Sequence, residues 1–132
     1  MKDHTLEFHL AVHSVLQRDD RYPVQAYAFL CEALPFSVAL LNRQDEEDRH
    51  VTGQELLQGF RALAIQEFGP MALLVLNEWG ITKSEDVGNM VYNLIATKFF
   101  GKNDTDSIND FSDGISLSEA LTAPFRVSKS KS

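Results

Sequence analysis

Two histidines spaced four residues apart are the first residues in the chain that could carry chemistry. His9 and His13 share one face of a predicted helix, which is the geometry that zinc sites use. A zinc site needs at least three protein ligands, and no cysteine or carboxylate on the next turn of that face completes the set. We expect no metal, and we interpret both as histidines at an interface or at the edge of the core. A small-molecule or metal pocket between the first two helices, formed with Tyr27, is the alternative hypothesis.

The single cysteine, Cys31, would be the nucleophile if the protein were an enzyme. It lies between Leu30 and Leu34 on a predicted apolar helix, where a cysteine usually contributes packing rather than reactivity. The sequence contains no glycine-rich phosphate loop and neither of the motifs G-x-S-x-G and H-E-x-x-H. We predict no catalytic residue and no cofactor, which favours a protein that is not an enzyme.

Several residues at the predicted helix ends could form an interaction site: Arg21, Tyr22, Gln54, Glu55 and Trp79. Each also has a simpler structural role. Arg21 can pair with the carboxylate of Asp19 or of Glu55, and Gln54 and Glu55 stand where a helix start needs capping. Trp79 would cover the junction of the fourth and fifth helices.

A helix-turn-helix is suggested by two predicted helices around Gly80, the first from Met71 and the second from Ser84. The second helix would present Glu85 and Asp86 to the DNA, where carboxylates repel phosphates. The whole chain has 12 Lys and Arg against 19 Asp and Glu, a net charge of −7. We expect neither nucleic acid nor a membrane as a partner, because nucleic acid and anionic membranes both bind positively charged protein surfaces. A winged-helix DNA-binding regulator is the third hypothesis.

Apolar periodicity and capping signals predict about five helices in 132 residues. The expected helices are residues 3–17, a second from Pro23, a third after the capping box of Thr52 and Glu55, a fourth over 71–79, and a fifth capped by Ser84. The fourth is apolar nearly all round, which predicts a place at the centre of the core.

Details within two of these helices lead to further predictions. The first helix should bury a broad face that includes Leu6, Leu10, Val12, Val15 and Leu16. Pro35 should kink or split the second helix, because proline has no N–H to donate.

The C-terminal part of the chain predicts a short β-hairpin and a last helical turn. Apolar pairs flank a polar turn between Phe99 and Phe111, which is typical of a hairpin. Ser116 and Glu119 form a second capping box, whose helical turn ends before Pro124. The predicted fold is therefore mainly α, a single domain of about five helices over residues 1–125 with a short hairpin, and a winged-helix-like shape is one form of it. Residues 126–132 are expected to be a disordered tail.

Four stretches resemble an uncharacterised bacterial family of short, single-domain, cytosolic proteins: Arg21-Tyr22-Pro23, His50 to Leu57, Phe68 to Ala72, and Glu78-Trp79-Gly80. The resemblance covers residues 21–111, and the sequence departs from the family at Pro35 and in the acidic segment 45–48. The members have no known function. The resemblance therefore implies domain limits and no activity, cofactor or partner.

We predict a small non-catalytic interaction module, either an adaptor or an assembly subunit, that binds a protein partner or self-associates. Large aromatic residues expected at the surface favour this function. They are Phe8, Phe36, Phe111 and Phe125. The N-terminus lacks the apolar core of a signal peptide, and the longest apolar stretch, residues 71–76, is short for a membrane span. A cytoplasmic protein is the expectation.

Overall fold

The computed structural model describes residues 5–42, 51–97 and 116–125. These residues form six α-helices: α1 Thr5–Leu16, α2 Val24–Leu40, α3 Gly53–Phe68, α4 Ala72–Glu78, α5 Ser84–Ala96 and α6 Leu117–Thr122. Short 3-10 turns follow α3 and α6. The described ranges contain no strand, so the mainly α prediction is confirmed for them. The hairpin predicted between Phe99 and Phe111 lies outside the described residues, as does the tail.

Capping signals in the sequence set the ends of two helices. The Thr52 hydroxyl accepts from the Glu55 N–H at 3.1 Å, and the Glu55 carboxylate accepts from the Thr52 N–H at 3.0 Å. This capping box starts α3 as predicted and satisfies N–H groups that have no intrahelical partner. Gly69, with a φ of 54°, ends the same helix. Ser116 starts α6 by accepting from the Glu119 N–H at 3.0 Å.

Helix α2 runs as one element through Pro35. The sequence predicts a kink or a split at this proline, and the split does not occur. Pro23 is the extended N-cap residue, with a ψ of 170°, and not the first helical residue. Burial along the helix offsets the hydrogen bond that Pro35 cannot donate. The buried residues are Ala26, Tyr27, Phe29, Leu30, Ala33, Ser37 and Val38.

Helices α2 and α3 form the centre of the core. Phe29 of α2 and Phe60 of α3 meet edge to face, with ring centroids 5.1 Å apart. The two backbones approach closely at Gly59, where a Cβ would overlap the hydroxyl of Ser37. That buried hydroxyl donates to the Ala33 carbonyl oxygen at 2.7 Å.

Helix α4 lies at the edge of the core, which corrects the prediction of a central helix. Only Ala72 and Leu76 of its seven residues are buried, and Leu74 is 61% exposed. The helix packs against α3 and α6. A two-turn helix that rests on its neighbours along one stripe leaves its other apolar side chains at the surface.

Helix α1 buries a narrower face than predicted. Val12 and Val15 are fully buried, and Phe8 packs against the core beside them. The prediction is wrong for Leu6 and Leu10, which are 67% and 61% exposed. The reason is that α1 packs against α5 along one side, so the two leucines face away from the protein.

The phenylalanines predicted at the surface divide into three groups. Phe8 and Phe36 are half-buried against the core, which corrects that prediction. Phe125 is exposed as expected. Phe111 lies outside the described residues.

One helical run, Gly53–Glu78, is long and apolar enough to cross a membrane by length and composition. Core helices meet the same criterion. Here Gly69 and Pro70 separate the run into two helices, and Leu57 and Phe60 within it are completely buried in the core. We interpret its apolar character as core packing.

Candidate functional site

A buried tyrosine–aspartate pair joins the loop after α1 to the start of α5. The Tyr22 hydroxyl donates to one carboxylate oxygen of Asp86 at 2.6 Å, and both side chains are buried. Asn89, one turn further along α5, donates to the Tyr22 hydroxyl at 3.1 Å. The other Asp86 oxygen accepts from the N–H groups of Thr82 and Lys83 at 2.9 and 3.1 Å. Asp86 therefore caps its own helix and holds Tyr22.

An ion pair lies beside the tyrosine–aspartate pair, in the same loop. Arg21 donates to the two carboxylate oxygens of Asp19 through Nε and Nη2, at 2.9 and 2.7 Å. Asp19 is one of the two partners predicted for this arginine. Asn93 of α5 donates to Asp19 at 3.0 Å and to the hydroxyl of buried Tyr27 at 3.1 Å. The ion pair is thus tied to α2 and α5.

These contacts shift the pKa values of several groups. The bidentate bond from Arg21 is the main cause of an Asp19 pKa well below its usual range, and the same bond raises the pKa of Arg21. Burial, and after it the bond to Asp86, raises the pKa of Tyr22 to about 12. Burial also raises the pKa of Tyr27. At neutral pH the carboxylate of Asp19 is ionised and both phenols keep their protons.

Gly80 brings the loop after α1 against the end of α4. Its φ of 83° lies in the left-handed region, and a Cβ there would be 2.7 Å from the Arg21 carbonyl oxygen. The Gly80 N–H donates to the Asn77 carbonyl and the Ile81 N–H to the Leu76 carbonyl, both at 2.9 Å. This is the Schellman pattern that ends a helix, at the glycine where the sequence predicts the stop.

The polar network is best described as a structural clamp between the α1–α2 loop and α5. Every polar side chain named in it bonds to another member, so its hydrogen-bonding capacity serves the fold. The sequence predicts Arg21 and Tyr22, with Asp19 as one possible partner of the arginine, but not the α5 residues that bond to Tyr22 and Asp19. Asp86, Asn89 and Asn93 have the spacing of one helix face, and that spacing is the signal that could have identified them.

The other three predicted interaction residues lie on different parts of the fold. Gln54 is half-buried in the first turn of α3, and Glu55 takes part in the capping box. Trp79 packs against Phe29 and Phe68, with ring centroids 5.7 and 5.9 Å apart. The tryptophan, at the end of α4, therefore packs on side chains of α2 and α3.

The candidate residues for metal binding and catalysis do not come together. His9 and His13 are exposed on α1 rather than at the edge of the core, and Tyr27 is fully buried, so the three line no common pocket. Within the described ranges, no group of three or more His, Cys, Asp and Glu could hold a metal ion. Burial raises the pKa of the half-buried Cys31 thiol to about 12, which keeps it protonated at neutral pH.

An exposed apolar stripe runs along the outer side of α1. Leu6, His9, Leu10 and His13 occupy positions i, i+3, i+4 and i+7 of the helix, and all four are exposed. We call these four residues the α1 stripe. Glu7 is the one Asp, Glu, Lys or Arg within α1. The stripe is therefore a nearly uncharged surface on a protein with a net charge of −7.

A cavity of about 300 Å³ lies between the starts of α5 and α6. Residues 82–85 line one side and residues 116–118 line the other. Ser84 is the first residue of α5 and not the cap that the sequence predicts. Its side chain is 4% exposed, and its hydroxyl has no hydrogen-bond partner among the described residues.

The start of α5 does not resemble a DNA-recognition helix. Such a helix presents its first residues to base edges in the major groove. Here Ser84, Asp86, Val87 and Gly88 are buried in the protein. The burial of this turn, together with the acidic charge of the chain, disfavours the helix-turn-helix hypothesis.

No family model, curated protein or solved structure matches this chain. The resemblance to an uncharacterised bacterial family therefore stays a prediction. The function must be inferred from the described residues themselves.

Proposed function

We propose that this protein is a small non-catalytic interaction module that self-associates through the α1 stripe. One observation carries the proposal: Leu6 and Leu10 are 67% and 61% exposed on adjacent turns of a helix whose opposite face is in the core. Isolated exposed leucines are common on soluble proteins, but pairs one turn apart on one helix face are typical of helix-packing surfaces.

Charge favours a second copy of the chain as the occupant. Two copies with a net charge of −7 each repel one another over most of their surfaces. The α1 stripe is uncharged when its histidines are neutral, so two stripes can meet without opposing carboxylates. A two-fold axis across α1 makes the contact isologous, with the leucines of one copy packed against the stripe of the other.

The size of the contact predicts a weak dimer. Two copies bury four leucines, each contributing about 1–2 kcal/mol because part of each is already covered. The roughly 4–8 kcal/mol gained is comparable to the cost of association, which is at least about 4 kcal/mol. The net gain of at most about 4 kcal/mol corresponds to a dissociation constant of about 1 mM.

Sedimentation velocity on the full chain, from about 10 μM to about 1 mM, tests the proposal. The weight-average mass should rise above the 14.9 kDa of the monomer as concentration increases. The double variant Leu6→Gln with Leu10→Gln should remain at the monomer mass. Leu40→Gln is the matched control, because Leu40 is 54% exposed on a different helix, and this variant should associate as the wild type does.

Two results would contradict self-association through α1. The first is a wild-type mass of one chain at every concentration, which would leave a different protein as the occupant of the stripe. The second is an equal loss of association in the Leu40 variant, which would make the effect nonspecific.

We also propose that residues 99–111 form the β-hairpin that the sequence predicts. Apolar residues on both sides of the polar turn at 103–107 support it, Phe99 and Phe100 before the turn and Ile108 and Phe111 after it. Backbone chemical shifts and cross-strand NOEs of this segment test the proposal, and helical shifts would contradict it.

A further inference from the structure

The cavity between α5 and α6 contains a buried hydroxyl without a hydrogen-bond partner. The Ser84 hydroxyl is unpartnered among the described residues, although the side chain is 96% shielded (4% exposed). A buried hydroxyl without a partner costs about 1–3 kcal/mol. Such a group at the wall of a cavity is a position where water or a ligand can supply a hydrogen bond.

The groups around the cavity are mainly hydrogen-bond donors. Ser84 stands at the first position of the 13-residue helix α5, where the backbone N–H has no intrahelical acceptor. Lys83 adds an ammonium group on the same side, and no ion pair holds it within the described part of the chain. Across the cavity, the hydroxyl of Ser118 can donate, and so can that of Ser116, which accepts from the Glu119 N–H and keeps its proton.

The buried carboxylate next to the cavity, that of Asp86, accepts from other donors. Asp86 is a buried residue of α5. Its carboxylate already accepts from the Tyr22 hydroxyl and from the N–H groups of Thr82 and Lys83. Four hydrogen bonds, including one from the Thr82 hydroxyl at 3.3 Å, disperse its charge. Glu85 is exposed at the rim. Ser84 is the buried donor in the wall of the cavity, and Lys83, Ser116 and Ser118 are exposed around it.

We propose that this cavity binds a small oxyanion, a phosphate or carboxylate group, between Lys83, Ser84 and the hydroxyls of Ser116 and Ser118. The oxyanion accepts from the Ser84 hydroxyl and from the ammonium group of Lys83. The start of α5 adds the partial positive charge of a helix N-terminus. A volume of about 300 Å³ holds such a group together with a small organic body.

Amide NMR titration of the full chain tests the site, with inorganic phosphate as the first probe, acetate as the second and chloride at equal ionic strength as the reference. Phosphate or acetate should produce saturable shifts at residues 83–85 and 116–118, with a millimolar dissociation constant. The stronger of the two probes identifies the class of oxyanion. No saturable shift with either, or the same shifts with chloride, would overturn the proposal.

Three variants make the test specific. Lys83→Gln should weaken binding about tenfold, because the variant removes a charge-assisted hydrogen bond to the oxyanion. Ser84→Ala, which removes only the hydroxyl, should weaken it about fivefold or more. Arg18→Gln is the control, since Arg18 is an exposed cation that does not line the cavity, and it should leave binding unchanged. If the Lys83 and Arg18 variants weaken binding equally, the anion is attracted by the general charge of the protein. That result would overturn the proposal of a specific site.

Discussion

The hydroxyl of Tyr22 donates a 2.6 Å hydrogen bond to Asp86, a residue 64 positions further along the chain. This bond links the loop between the first two helices to the start of α5. Asn89 donates to the same hydroxyl, so Tyr22 acts as both donor and acceptor. A buried phenol in this position has little freedom to move, and the loop that carries it is fixed against α5.

Removing the hydroxyl of Tyr22 should destabilise the protein without changing its fold. Tyr22→Phe leaves the buried Asp86 carboxylate without one of its donors, and we expect a loss of about 1–3 kcal/mol in the free energy of unfolding. Urea denaturation followed by circular dichroism measures the change. Tyr92→Phe is the control, because Tyr92 is exposed on the same helix as Asp86, and it should change stability by less than about 0.5 kcal/mol.

The same tyrosine predicts a loss of stability in alkali. The pKa of Tyr22 is about 12 in the folded chain, above the value of about 10 for an unfolded tyrosine. A group with a raised pKa contributes stability that is complete below the unfolded value and is lost as pH rises towards the folded value. Between about pH 10 and about pH 12, the wild type should lose more stability than Tyr22→Phe. Parallel pH profiles of the two proteins would contradict this assignment.

The ion pair of Asp19 predicts the opposite dependence, in acid. The pKa of Asp19 is lowered in the folded chain. Its contribution to the free energy of unfolding is therefore present above the unfolded pKa of about 3.9 and is lost as pH falls below that value. Asp19→Asn should cost about 1–2 kcal/mol at pH 7, and the difference from wild type should shrink below about pH 4. Asp20→Asn, at the exposed neighbouring position, serves as the control and should change the free energy of unfolding at pH 7 by less than about 0.5 kcal/mol.

The close approach of α2 and α3 predicts a strong effect at one glycine. Gly59→Ala places a methyl group where it overlaps the hydroxyl of buried Ser37. The substitution should lower the free energy of unfolding by about 2 kcal/mol or more. In a Ser37→Gly background the same substitution should cost less, because the overlapping atoms are gone. A double-mutant cycle measured by thermal unfolding gives the coupling. A coupling energy near zero would show that the helices adjust elsewhere.

The unpartnered hydroxyl in the cavity predicts a stabilising substitution. Ser84→Ala removes a buried polar group that has no partner in the described structure. The free energy of unfolding in ligand-free buffer should therefore rise by up to about 1 kcal/mol. Ser37→Ala is the comparison, because Ser37 is equally buried but bonds to Ala33, and its loss should destabilise the protein. Destabilisation of similar size in both variants would mean that the Ser84 hydroxyl has a partner in solution.

Features that depend on neighbouring residues were predictable from the sequence. The capping box of Thr52 and Glu55, and the helix stops at Gly69 and Gly80, are local events. They involve atoms within five residues of each other, so the residue types and their spacing decide them. For the same reason the mainly helical character of the chain could be read from its apolar periodicity.

Features that depend on distant residues were not predictable in this way. An apolar side chain on a helix can be buried or exposed, and the choice depends on which other helix packs there. Leu6 and Leu74 face solvent because α1 and α4 contact the core along one stripe only. The partners of Tyr22 and the unpartnered hydroxyl of Ser84 likewise arise where separate segments meet. Local signals along the sequence place the helix ends to within about two residues. Long-range packing sets which helix faces are buried, because burial is a property of two surfaces in contact.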